Sequence, residues 1–258
     1  MALCPKMIST MPDRHTLEKF AAVLFALAIW QICAMLLGQR LVLVTPVTVV
    51  ERLFVLCTQA DFLSAMGFSF FRIVSGFLLA LASGCVLAGI AARFRLVEIM
   101  LWPFISTIKS VPVASFIILC LIWIGSKNLS IFISFLMVLP IVYTNMLEGI
   151  KNTDIKLLEM AAVFRVGRLK KLKYIHLPQL KPYLISACSI SIGLAWKAGI
   201  AAEVIGISDG SIGEKLYEAK VYFDSGDLFA WTAVIVALSI TFEKLFLLLI
   251  RRMYKRLL

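Results

Sequence analysis

Charge is scarce in this 258-residue chain: Asp, Glu, Lys and Arg supply only 16% of it, against 61% hydrophobic residues and a mean hydropathy of +0.96. Soluble domains carry about 25% charged and about 45–50% apolar residues. One soluble core of this size cannot hide such a surplus, which excludes a cytosolic enzyme or a secreted domain. Histidine is nearly absent, with two copies, and none of the six cysteines lies in a C-x-x-C pair or beside a histidine. A zinc site and a disulfide framework are therefore not expected, and no metal ligand is assigned. Also missing are a small-residue cleavage site after the first apolar run, an internal repeat and a low-complexity tract. No G-x-x-x-x-G-K-[ST] phosphate loop occurs, so the chain is not expected to hydrolyse ATP itself. Neither His15 nor His176 has the serine and carboxylate company of a catalytic triad, and no catalytic residue is assigned.

What the sequence has in quantity is long apolar runs. A bilayer-crossing helix needs about 20 apolar residues, and six stretches approach or exceed that: 20–37, 64–92, 97–124, 129–150, 183–207 and 228–250. Lipid offers the backbone no hydrogen-bond partners, which favours helices over open strands. The expectation is an all-α polytopic membrane protein with about six transmembrane helices. Lys and Arg then give the orientation. With the N-terminus inside, seventeen fall in inner segments and five in outer ones, Arg40, Arg52, Lys127, Lys215 and Lys220. Both termini are thus expected inside, and the net charge of +11 reports topology rather than nucleic-acid binding. The organisation reads as a polar arm over 1–19, a membrane domain over 20–250 and a basic tail over 251–258.

One connection departs from the short loops of a helical bundle. The inner segment between the fourth and fifth runs is about thirty residues long, where most connections take about 2–8. Thr153 or Asp154 can cap a helix start. Ile155, Leu158, Ala162 and Val166 follow at helical spacing, as do Leu157, Ala161 and Phe164. Gly167 is placed to break that helix, and a basic helix with Leu169, Leu172 and Ile175 along one stripe comes next. Pro178 is expected at the turn into the next span. An apolar ridge with a basic flank suits a groove in another protein; an amphipathic helix resting on anionic lipid is the alternative.

The same stretch resembles the EAA loop of permease subunits of ATP-binding-cassette importers: Glu-Ala-Ala, a glycine four residues on, and Ile-x-Leu-Pro downstream. Glu159, Ala161 and Ile175-His176-Leu177-Pro178 match, Met160 stands for the first alanine, and Arg165 stands for the glycine. Elsewhere Arg72-Ile73-Val74-Ser75-Gly76-Phe77, Lys109-Ser110-Val111-Pro112 with Trp123-Ile124-Gly125, and Ala195-Trp196-Lys197-Ala198-Gly199 are similar to the nitrate/sulfonate/taurine branch of these type I importers. The resemblance implies a bacterial inner-membrane subunit that forms the path for a small solute. It implies coupling to a separate ATPase, which binds ATP and Mg, through Glu159, Met160, Ala161, Ala162, Phe164, Arg165, Gly167, Leu177 and Pro178. In that picture Glu159 caps or pairs locally, Ala161 and Ala162 permit close approach, and Gly167 takes over the turn. The other implied partners are a second copy of the permease, an extracytoplasmic solute-binding protein and membrane lipid, with no cofactor on this chain and no nucleic acid.

Charges inside the apolar runs are the remaining clue. A mid-bilayer charge costs at least about 2.5–3.5 kcal/mol on insertion scales, so it needs a partner or a watery cavity. Lys109, Lys197 and Glu203 are candidates for the solute pathway, the lysines attracting an anion such as a sulfonate, taurine or nitrate; pairing across helices is the alternative. Lys197 and Glu203, six apart, stand on different faces of one helix. An ion-gradient-driven secondary transporter, an importer permease for a vitamin precursor and a membrane scaffold remain alternatives for the whole chain.

Overall fold

The computed structural model describes residues 14–38 and 43–257, and every described element is helical. In chain order these are α1 (Arg14–Leu37), α2 (Pro46–Cys57), α3 (Asp61–Arg93), α4 (Arg95–Ser110), α5 (Val113–Ile124) and α6 (Ser126–Lys151). There follow α7 (Ile155–Val163), α8 (Arg168–Lys171), a π-helical turn (Leu172–His176), α9 (Leu177–Gly206), α10 (Ile212–Val221) and α11 (Ser225–Leu257). The six apolar runs fall on helices, but not as six straight spans. Among the described residues four helices are long and apolar enough to cross a bilayer: α3, α6, the continuous 169–206 helix and α11. The third run is broken: α4 and α5 meet at 107°. Pro112 explains the corner, because a proline pushes the preceding residue out of the α region, and Val111 adopts extended backbone with φ −81° and ψ 133°. Pro103 and Pro140 lie inside α4 and α6 without ending either helix.

Most of the polar arm, residues 1–13, lies outside the described residues, and α1 already includes Arg14. The basic tail continues α11 to Leu257.

The centre is α6 packed between α3 and α9. Lipid tails are as apolar as Leu, so membrane helices associate through close packing of small residues rather than through hydrophobic transfer. Gly76 meets that need: a Cβ there would lie 2.3 Å from the Ile131 carbonyl oxygen of α6. A second seam joins α3 to α11, where Phe77 and Phe246 meet edge-on with centroids 5.1 Å apart, a favoured aromatic geometry. On the outer side α2 starts at Thr45, whose hydroxyl accepts the Thr48 N–H, with Pro46 in the first turn. Arg52 of α2 bonds Asp224 at 2.5 Å and lies 2.9 Å from Asp227, tying α2 to the turn before α11.

Candidate coupling and pathway site

The inner connection is built on a rigid footing. Thr153, buried, donates to the Ile150 carbonyl at 2.8 Å and lies 3.5 Å from His176 Nδ1. The Asp154 N–H donates to Gln179 Oε1 at 2.8 Å, while Asp154 Oδ1 accepts the Lys156 N–H at 2.9 Å and caps α7. The end of α6 and the start of α7 are thereby fastened to the inner end of α9. Gln179 and His176 carry much of this fastening, and no pattern in the sequence singles them out.

The end of α7 differs from the sequence expectation. The Val166 N–H bonds the Ala161 carbonyl at 2.9 Å and the Arg165 N–H bonds the Ala162 carbonyl at 3.0 Å. That double closure is a Schellman motif, which requires a left-handed residue at its penultimate position. Arg165 is that residue, with φ 48°; Gly167 has no positive φ and does not take over the turn. At the position of the resembled family's glycine this chain thus has a left-handed turn with an arginine in it.

Pro178 also behaves differently. It marks no turn: one helix runs through from Leu169 to Gly206. A proline is tolerated in the first turn of a helix, and the π turn just before it carries the chain across, the Leu177 N–H bonding back to the Leu172 carbonyl. The second half of the connection, from Leu169, and the fifth apolar run are one continuous helix.

The side chains then divide. Ala161 is buried against the chain itself and Ile175 is buried too, whereas Ala162 is exposed. Facing outward are Ile155, Met160, Val163 and Phe164, the last two 78% and 74% exposed, followed by Leu169, Leu172 and Tyr174. Glu159 is exposed and, among the described residues, neither caps nor pairs locally. Leu177 is half-buried at the base of α9, beside Pro178.

The intramembrane charges separate as well. Lys109 Nζ, just before the α4–α5 corner, donates to Thr144 Oγ1 of α6 at 2.8 Å. Lys197 is exposed although Ala195, Trp196, Ala198 and Gly199 around it are buried. Glu203 is fully enclosed. Its Oε2 accepts from Ser69 Oγ of α3 at 2.6 Å, and the Gly213 N–H of α10 approaches it at 3.4 Å. It is sealed into the protomer, not open to a channel in this conformation. Sequence reasoning missed Ser69 and Gly213. A usable signal was present in Ser211-Ile212-Gly213-Glu214, a capping pattern in which Ser211 Oγ accepts the Glu214 N–H at 3.0 Å.

These features define a class: a multi-pass, all-helical membrane protein with an ordered inner connection whose apolar side is left exposed by the described residues of its own chain. The chain belongs to the family of binding-protein-dependent transport system inner membrane components, whose model matches residues 80–258. It is similar to an aliphatic sulfonates transport permease protein by name from Bacillus subtilis, at 27% identity, covering 89% of this chain and 83% of that one. It is also similar to the nitrate import permease protein NrtB of Synechococcus elongatus, at 28% identity over 78% of this chain and 75% of the relative. The bicarbonate transport system permease CmpB of the same organism is 26% identical over 52% of this chain and 49% of its own. The protein is a permease of an ATP-binding-cassette importer and not an enzyme.

Proposed function

We propose that two copies of this chain enclose the path of a small anion and that each takes its motion from a separate ATP-hydrolysing subunit seated on the 155–174 surface. The observation that carries this is the outward ridge of Met160, Val163 and Phe164 on a helix anchored to α9. Apolar side chains at i, i+3 and i+4 on an unpartnered helix are the pattern that seats in a groove. The anchoring supplies the second half of the mechanism. A push on α7 is passed through Asp154–Gln179 and the unbroken 169–206 helix to the outer end, where Glu203 holds α10. Rigid elements moving as bodies bias a bundle between two states better than a flexible loop would. Arg165, Gly167 and Pro178 shape this lever, while Met160 and Phe164 form its contact surface and Glu159 and Ala162 its exposed margin.

An anionic solute is supported by the exposed Lys197, by Lys109 at the corner of the broken span, and by the sulfonate and nitrate names of the relatives. An extracytoplasmic binding protein delivers the solute to the outer face. The test is uptake by proteoliposomes holding the permease with its ATPase and binding protein. Sulfonate or nitrate accumulation that requires ATP and no ion gradient supports the reading; accumulation driven by an ion gradient without ATP overturns it.

A further inference from the structure

A cleft of about 620 Å³ opens at the inner end of α3, its lining including Arg93, Arg95, Glu98, Ile99, Trp102 and Lys151. Three of its groups are cationic. Lys151 Nζ bonds Glu98 at 2.5 Å, so the cleft's acidic group is matched by its ammonium. Arg93 and Arg95 are both exposed and, among the described residues, join no ion pair; Arg93 lies near the Phe94 ring and no more. Two guanidiniums therefore face the opening without a counter-charge. A guanidinium presents a planar fork of donors suited to phosphate oxygens.

The apolar side of the cleft has a direction. Trp102 lies about 10 Å along α4 from Arg95, at 1.5 Å per residue, and is 69% exposed. Ile99 between them and Leu96 beside them are exposed as well. A charged mouth, an exposed tryptophan about two helical turns further along α4 and an apolar flank follow the order of groups in a phospholipid, from phosphate through the interface to acyl chain. A free anion would use the two arginines and leave Trp102 and Ile99 in open contact with lipid.

We propose that this cleft binds the phosphate headgroup of an anionic phospholipid of the cytoplasmic leaflet, with Arg93 and Arg95 on the phosphate and Ile99 and Trp102 along the upper acyl chain. The bound lipid fills the space between the start of α4 and the end of α6, which the Glu98–Lys151 pair already bridges. The proposal rests on the membrane topology and not on the identity of the transported solute.

The test is native mass spectrometry of the assembled permease, delipidated in detergent and titrated with phosphatidylglycerol, phosphatidylcholine or inorganic phosphate. Phosphatidylglycerol is expected to bind at least about tenfold more tightly than phosphatidylcholine, with millimolar phosphate failing to displace it. R93Q/R95Q lowers its affinity by about ten- to thirtyfold, each single variant giving about fivefold, so the result stays readable if the double variant does not assemble. R93K/R95K, which keeps the charge and loses the fork, falls between wild type and R93Q/R95Q, and R251Q/R252Q, on the inner end of α11, leaves the affinity unchanged. Equal binding of the two lipids, an undiminished preference in the Gln variants, an equal loss in R251Q/R252Q, or displacement by phosphate overturns the proposal.

Discussion

The Ser69 hydroxyl of α3 donates a hydrogen bond to Glu203 Oε2 of α9 at 2.6 Å, with both residues fully enclosed. The same Ser69 oxygen accepts the Ile212 N–H at 2.9 Å, so one hydroxyl joins three helices. Only glycine fits beside this contact, since a Cβ on Gly213 would fall 2.2 Å from the Glu203 Cβ. Burying a carboxylate is costly without such partners, and here the partners also seat the start of α10.

Removing a partner should therefore cost stability and not merely activity. Ser69→Ala is expected to lower stability by about 1–3 kcal/mol, the penalty for leaving a buried polar group unpaired, and Gly213→Ala by more because backbone must move. Thermal unfolding in detergent reads both. Unchanged melting temperatures would show that the carboxylate finds replacement partners.

The turn after α7 makes an opposite prediction. Arg165 holds φ 48° inside a Schellman closure, a conformation that costs an L-residue about 1–2 kcal/mol and glycine little. After the entropy that glycine loses on folding, Arg165→Gly should stabilise by about 0.5–1 kcal/mol. A lower melting temperature would mean that the Arg165 side chain contributes a contact worth more than the strain.

Two neighbouring residues on α7 should fail differently. Ala161 is buried and Met160 is half exposed. Ala161→Asp places a charge against the chain's own surface, so it lowers the melting temperature and uptake together. Met160→Asp leaves stability within about 0.5 kcal/mol, the usual range for surface changes, while ATP-driven uptake falls by at least about tenfold. Equal thermal losses in the two variants would remove the distinction between footing and contact surface.

Lys197 offers a test of the solute pathway. It is exposed amid buried neighbours, so replacing it disturbs little packing. Lys197→Gln is expected to raise the KM for anion uptake by about tenfold with assembly and ATPase activity intact. An unchanged KM would assign Lys197 to lipid or to helix pairing.

Much of this fold was legible because its signals are local. The apolar runs gave the helices, but the third run reads as one span in sequence, and the 107° corner that Pro112 makes between α4 and α5 emerges only in the structure, since angle is set by packing. The apolar residues of α7 were visible at helical spacing, but which of them face away was not: Ala161 and Val163 look alike in sequence, and contact with the rest of the chain separates them. Gly167 was the obvious turn residue by conformational preference. The hydrogen bonds to Ala161 and Ala162 placed the turn two residues earlier and imposed it on Arg165. Glu203 was recognisable as an intramembrane charge, but its partners lie 134 residues before it and 10 after it, a pairing that only the assembled helices create.

The claim that α7 meets a motor protein is tested most directly by replacing Phe164 with a photo-crosslinking phenylalanine in the full transporter. Illumination should join position 164 to the ATPase subunit. An adduct formed only with lipid or with a second permease chain, in a complex that still transports, would contradict the account.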